Sequence, residues 1–374
     1  MELKLNKGPQ DLEARVLKQG FCCGCGACLG LCPYFLVMRE HVVLMEPCGL
    51  AEGRCYEVCP RTAVDLDELN RTALGRPRDD FVLGSNRGVF MARSADPAIA
   101  GRGQYGGTVS ALLVHGLETG ALDGALLAGN SKRYGLLPEP TLARDREAVL
   151  ECAGSKYTAC PTLKILDRSL RECRKLAVVA RPCQTIALRK RMALEPELQD
   201  KIALIIGLFC MWALDYQRLS AHLSSSLDLK KARKVDIPYN RFVVTMEGEK
   251  PHDLDFEPLR DLRLRTCDLC FDFTAELADL SVGSTEWKDD WNTLIPRSER
   301  GEAAVRAARQ AGRLKLEPLP GDRVKLLRQA ALGKKQRALE ALGDGCPIGD
   351  YLLLSDRERQ ATLSGSGEAR GPGA

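Results

Sequence analysis

The residues best suited to chemistry in this chain are its cysteines, sixteen in all, and their spacing sorts them into groups. Cys22, Cys25, Cys28 and Cys32 run CxxCxxCxxxC and are followed by Pro33. This is the bacterial ferredoxin run, in which a tight loop turns three thiolates onto one cluster while the fourth reaches a second. Its partner half lies in PCGLAEGRCYEVCP, with Cys48, Cys55, Cys59 and Pro60. By the ferredoxin crossover Cys59 completes a first 4Fe-4S cluster with Cys22, Cys25 and Cys28, and Cys32 joins Cys48 and Cys55 on a second. One thiolate is then missing, because Ala51 and Glu52 stand where the middle cysteine would be. The second centre is left as 3Fe-4S, as a cluster with a fourth ligand from elsewhere, or as none. The doubled Cys-Pro ending argues against zinc. Cys23, beside Cys22, reads as a spare thiol packed nearby.

A further set of cysteines depends on the elements that carry them. Residues 176–180 and 202–209 are short apolar runs that predict buried strands, and the charged, Leu/Ala/Arg-rich stretch from Gln184 to Asp200 predicts a helix between them. Such a unit pairs its strands in parallel. Cys183 and Cys210 each follow a strand's C-terminal end, so they share the sheet edge where open α/β folds hold ligands. Cys267 and Cys270 add a CxxC in RTCDLC. Four thiols suit an iron-sulfur cubane or a structural zinc. The plainer alternative leaves Cys183 and Cys210 as core residues and the CxxC as a redox pair or half a zinc site. Position and number together favour the four-thiolate site.

Other stretches set the frame. A length of 374 residues with 45% apolar composition allows two or three domains with real cores. A net charge of +4 and 5% aromatics give no footprint for nucleic acid or an anionic membrane as the main partner. The N-terminus has no apolar signal core, and the run Ile202 to Leu214 is too short to span a bilayer, which predicts a cytoplasmic chain or one peripheral on a larger (membrane) complex. Thiols there stay reduced, so a disulfide framework is not expected. Leu66 to Ser85 is polar and reads as a linker. GRGQYGGTVSALLVHGLETG (101–120) sets four glycines ahead of a helix expected from Thr108 to Gly120, a form that suits a phosphate or pyrophosphate. No strand is evident before it. Asp123-Gly124 turns into a short strand at Ala125 to Ala128. Trp287 and Trp291 read as packing, Arg300 to Gln310 and 322–343 as helices, the four histidines as structural, and the tail from Leu363 as disordered by composition.

Several long motifs now carry a resemblance. GQYGGTVSALLVHGLETGALDGALL, AGSKYT, ARPCQTIALRK, KIALIIGLFC and CDLCFDFTAELADLSVGS resemble, in that order, the coenzyme F420-reducing hydrogenase/dehydrogenase beta subunit family, over residues 85 to 320. The N-terminal CxxCxxCxxxCP with GRCYEVCPR looks like members that carry a ferredoxin module in the same chain, as in the F420-oxidising subunits of F420 dehydrogenases. The resemblance implies a domain that binds FAD and one 4Fe-4S cluster and exchanges hydride with coenzyme F420. It implies cluster ligands at Cys183, Cys210, Cys267 and Cys270, and FAD contacts at Gly103, Gln104, Gly106, Gly107 and Thr108, with Ser155, Lys156 and Tyr157 nearby. Tyr105 stands where many members have an acidic residue. Lys156, Arg133 and Arg181 are candidate cations for the anionic tail of coenzyme F420. Related members act on chlorophyll derivatives or serve formate dehydrogenases, so the substrate does not follow from the fold.

These readings combine into an expectation. The fold class is α/β: a ferredoxin-like iron-sulfur domain over 1–75, a flavin-binding α/β domain with a parallel βαβ unit over 76–335, and a C-terminal extension over 336–374. The function is that of an iron-sulfur flavoprotein oxidoreductase, exchanging hydride with coenzyme F420 through FAD and passing single electrons through two to three clusters to a partner hydrogenase, dehydrogenase or respiratory complex. No side-chain acid or base is required for that transfer. The alternatives are a non-catalytic electron-transfer subunit and a reductase of the same fold using NAD(P)H or another acceptor.

Overall fold

The computed structural model describes residues 8–38, 41–131, 135–238, 241–285, 287–343, 345–349 and 351–365. Arg133 and the chain end from 366 lie outside these residues. The framework is an eight-stranded sheet of β1 (Phe90–Ser94), β2 (Gly124–Asn130), β3 (Pro138–Ala143), β4 (Leu176–Ala180), β5 (Ile202–Leu208), β6 (Leu280–Ser284), β7 (Asn292–Pro296) and β8 (Leu314–Pro318). Its order is β8-β1-β7-β6-β5-β4-β2-β3. The inner four, β6, β5, β4 and β2, are mutually parallel, and the outer strands add on antiparallel. The continuous apolar runs LAVVA and IALIIGL suit inner parallel strands covered on both faces.

Helices supply that cover. Alternate residues of the strands point to opposite sides. Ala125, Leu127, Ala177, Leu204 and Ile206 pack with Ala111 and Leu112 of α1 (Thr108–Glu118) and Val305 and Ala308 of α3 (Glu299–Gln310). Leu126, Val178 and Ile205 pack with Ala187, Leu188 and Met192 of α2 (Pro182–Leu194) on the other side. The sequence predicts one helix through Asp200; the structure ends α2 at Leu194 and resumes with a short turn at Leu198–Lys201. Pro196 explains the break, since it lacks an N–H and bars the preceding residue from helical geometry. The strand missing from the sequence reading ahead of the glycine-rich turn is β1, hidden because a short helix, Pro97–Arg102, intervenes.

The cysteine-rich N-terminal part does not stand apart. Phe21, Phe35, Val42, Cys55 and Val64 share one core with Ile186 of α2, with Leu269 and Phe271, and with Ala338 and Leu339 of α4 (Gly321–Ala341). The stretch read as a linker, Leu66 to Ser85, is corrected. Leu66–Leu74 is a helix capped by the Asp65 carboxylate, which accepts from the Glu68 N–H, and Phe81, Val82, Leu83 and Ser85 are buried. Those apolar residues, short of a recognisable period, carry no signal of burial until they meet α4 and its neighbours. Leu352–Leu353 pairs in parallel with Val64–Asp65, bringing the C-terminal part against the N-terminal one. A separate antiparallel sheet of Ala232–Asp236, Arg241–Met246 and His252–Asp255 packs around Phe242, Val244 and Phe256. Among the described residues no helix is long and apolar enough to cross a membrane.

Candidate functional site

β4 and β5 run side by side, with Ala180 opposite Gly207. Cys183 in the first turn of α2 and Cys210, two residues beyond β5, therefore leave the sheet at the same edge. Pro182 begins that helix, and the Gln184 side chain accepts the Arg181 N–H at 3.0 Å, which fixes the turn carrying Cys183. The segment around 264–273 folds onto this edge: Cys210 N–H donates to Phe273 O at 2.9 Å, Leu264 N–H to Ala213 O at 2.8 Å, and Ala213 N–H to Cys267 Sγ at 3.3 Å. Cys183, Cys210, Cys267 and Cys270 thereby fall within electrostatic reach of one another. Burial pushes the Cys210 thiol up and the Cys267 thiol to about 12. Cys270 differs: burial acts on it likewise, but the Lys334 ammonium and Arg61 guanidinium beside it hold it below the ordinary thiol value.

Three cations surround these thiols. Lys334 of α4, 2% exposed, donates to the Cys210 and Asp272 carbonyls. Arg181 donates to Cys23 O at 3.5 Å, so it faces the thiols. Arg61, 1% exposed, bonds Thr266 next to Cys267. None of the three forms an ion pair with a carboxylate among the described residues. Buried charge calls for a partner; beside the Asp272 carboxylate, which lies within reach of Lys334 and Cys270, the groups gathered here that can become anionic are the thiols, as coordination to a metal centre makes them do. Among the described residues no three His, Cys, Asp or Glu side chains converge closely enough for a single metal ion. Lys334 and Arg61 escaped the sequence reading because the first sits in an ordinary basic helix and the second follows a Cys-Pro pair with nothing to mark it.

In the N-terminal part Cys22, Cys25, Cys28 and Cys59 lie within electrostatic reach of one another, and so do Cys32, Cys48 and Cys55. Cys23 is not an idle neighbour: its thiol meets Cys183 on one side and Cys25 on the other. The two parts are sewn together at this point by Leu163 N–H to Cys25 O at 3.1 Å and by Lys190 of α2, which donates to Cys59 O at 2.8 Å and Ala63 O at 3.0 Å. An open cleft of about 380 Å³ reaches Cys22 between His41 and Asp215.

The glycine-rich turn lies between β1 and α1. A side chain on Gly106 would meet Ala92 O at 2.8 Å and Asn292 Oδ1 at 2.9 Å, and one on Gly103 would meet Gly107 Cα at 2.6 Å. The turn's own packing therefore demands these glycines. Gly107 adopts φ +65° and Tyr105 φ +56°. Thr108 is buried and committed inward, its hydroxyl to Ala92 O at 3.0 Å and its N–H to Asn292 Oδ1 at 3.2 Å. Gln104 is otherwise: both polar atoms of its side-chain amide are buried with no partner among the described residues.

Ser155, Lys156 and Tyr157 line an open cleft together with Arg233 and Lys234. Asp236 joins this cleft to the glycine-rich turn, since its carboxylate accepts the Tyr157 hydroxyl at 3.1 Å and the Tyr105 hydroxyl at 3.4 Å. Lys156 donates to the carbonyls of Cys152, Ala153 and Gly154 at 2.9–3.1 Å, and burial lowers its pKa to about 8. All three of its protons are thus engaged by backbone. Asn292 and Asp236 were invisible to sequence reasoning, as each lies far along the chain from the turn it serves.

The fold is a largely parallel α/β sheet with four thiols at the C-terminal edge of its strands, joined to a second cysteine-rich part. The chain belongs to the coenzyme F420 hydrogenase/dehydrogenase beta subunit family: residues 89–167 match its N-terminal region and residues 173–322 its C terminus. It is 33% identical over 269 residues to the coenzyme F420 hydrogenase subunit beta of Methanothermobacter thermautotrophicus, covering 69% of this chain and 94% of that one. It is 30% identical over 344 residues to a coenzyme F420-dependent sulfite reductase of Methanocaldococcus jannaschii, covering 87% of this chain and 51% of that protein. A chain in a solved structure of the F420-reducing NiFe hydrogenase complex from Methanosarcina barkeri superposes with a TM-score of 0.67, at 28% identity, over 74% of this chain and 98% of that one.

Proposed function

We propose that the protein is an F420-linked oxidoreductase subunit that holds FAD and iron-sulfur clusters and feeds a partner redox complex. The observation that carries this is the set of three cations without carboxylate partners, Arg61, Arg181 and Lys334, around Cys183, Cys210, Cys267 and Cys270. An anionic, thiolate-ligated 4Fe-4S cluster supplies the charge they lack. Cys22, Cys25, Cys28 and Cys59 would hold a second cluster, and Cys32, Cys48 and Cys55 a third centre. The unpartnered Gln104 amide and the adjoining cleft at Ser155 and Tyr157 support FAD between turn and cleft. A bound flavin accepts two electrons as hydride and releases them singly, as clusters take them up. Gln104 then orients a polar edge of the ligand, Asp236 holds Tyr105 and Tyr157 in place, and Lys156 stiffens the segment beneath. Relatives named for hydrogenase and for sulfite reductase support coenzyme F420 as the shared carrier and a partner that differs among them.

Rapid mixing of anaerobically purified protein with reduced coenzyme F420 is expected to bleach the flavin band first and the cluster absorbance afterwards. Bleaching by NADH and not by reduced coenzyme F420 would overturn the substrate; absence of iron would overturn the clusters.

A further inference from the structure

Arg61 occupies the seam between the two cysteine-rich sites. It stands two residues after Cys59, and its own backbone N–H is directed at the Cys59 thiol. Its side chain crosses the seam: Nε donates to Thr266 Oγ1 at 2.8 Å and Nη2 to Thr266 O at 3.1 Å, immediately before Cys267. Nη1 donates to Pro60 O at 3.2 Å and to the Tyr351 hydroxyl at 3.0 Å. Every one of these acceptors is neutral, so the guanidinium is held in place without being discharged. Thiols of both sites surround it, Cys22 and Cys59 from one and Cys270 from the other, with Cys23 between. Arg181 and Lys334 differ: Lys334 bonds the Cys210 and Asp272 carbonyls, and Arg181, which also reaches Cys23 at the seam, faces Cys183, Cys210 and Cys267 of the α/β site.

We propose that Arg61 is a positioning residue that serves as the shared counter-charge of the two adjacent clusters, clamping them together and raising the reduction potential of both. The proposal rests on the cluster reading above. Reduction adds one negative charge to a cluster, and a buried cation close to it favours that state; a cation placed between two clusters favours reduction of each. Electrons then cross the seam between centres whose potentials are set by one group.

Potentiometric titration followed by EPR, with iron analysis, tests this on the full chain. Arg61→Gln should keep its iron while both centres lose about tenfold in the one-electron reduction equilibrium, a move of about 59 mV to more negative potential. Arg61→Lys, which keeps charge and loses the fork, should restore both. Arg181→Gln should move only the centre of the α/β part. A shift of one centre alone, or of neither, in iron-replete Arg61→Gln overturns the proposal. Should Arg61→Gln lose iron, Arg61→Lys decides: wild-type potentials support a charge role, and loss of iron there too reduces Arg61 to a clamp and overturns it. Wild-type protein without clusters sinks the underlying reading and this inference with it, a result distinguishable by iron content alone.

Discussion

A buried amide with neither polar atom satisfied, as at Gln104, costs about 1–3 kcal/mol in the ligand-free fold. A chain that carries such a burden beside a cleft has a use for it when the cleft is filled. Gln104→Leu should therefore leave the ligand-free protein as stable as before, or raise its Tm, while weakening FAD about tenfold or more. Equal FAD affinity by fluorescence titration would remove Gln104 from the site. The same test by Gly106→Val is blunter, because the added side chain strikes Ala92 and Asn292 and disturbs the turn itself. Spacing marked Gln104 only as part of a glycine-rich string; that its side chain is the uncommitted one, and Thr108 the committed one, depends on Asn292 and β1.

At the scale of elements, Lys156 caps the C-terminal end of the short helix Arg146–Glu151, where backbone carbonyls lack helical partners. Burial lowers its pKa in the fold to about 8, against 10.5 in the open chain. Below pH 8 the lysine is charged in both states and its desolvation weighs fully on the fold. Between pH 8 and 10.5 the unfolded chain binds more protons than the folded one, so stability rises with pH from this group. The Tm difference between wild type and Lys156→Met should accordingly shift in favour of wild type across that window; a difference constant with pH would refute the assignment. Elements of this kind were legible where a single period dominates. β4, β5, α1 and α3 begin and end close to where their apolar patterns do. The 66–85 stretch was misread because its helix exposes a charged face and its buried residues follow no period.

At the scale of the whole molecule, the N- and C-terminal parts support one another across nearly the full chain. Val64–Asp65 pairs with Leu352–Leu353, Tyr351 receives Arg61, and Arg78 is joined to Glu358. Removing one member of a buried ion pair costs about 3–5 kcal/mol. Ending the chain at Gly349 is thus expected to lower Tm, open residues 64–80 to protease and release iron from the Cys22 to Cys59 sites before those of Cys183 to Cys270. Retention of all iron with unchanged proteolysis would show that the C-terminal part is dispensable. By itself the sequence determined which cysteines are candidates, that a parallel strand-helix-strand unit brings Cys183 and Cys210 to one edge, and which family the chain resembles. These follow from local spacing and period, which act within a few tens of residues. The tertiary structure alone decided that Arg61, Arg181 and Lys334 converge on those thiols, that Cys23 meets both sites, and that Asp236 ties the glycine-rich turn to the Tyr157 cleft. Burial and charge pairing are properties of neighbours in space, and Arg61 meets Thr266, beside Cys267, from 205 residues away in the chain.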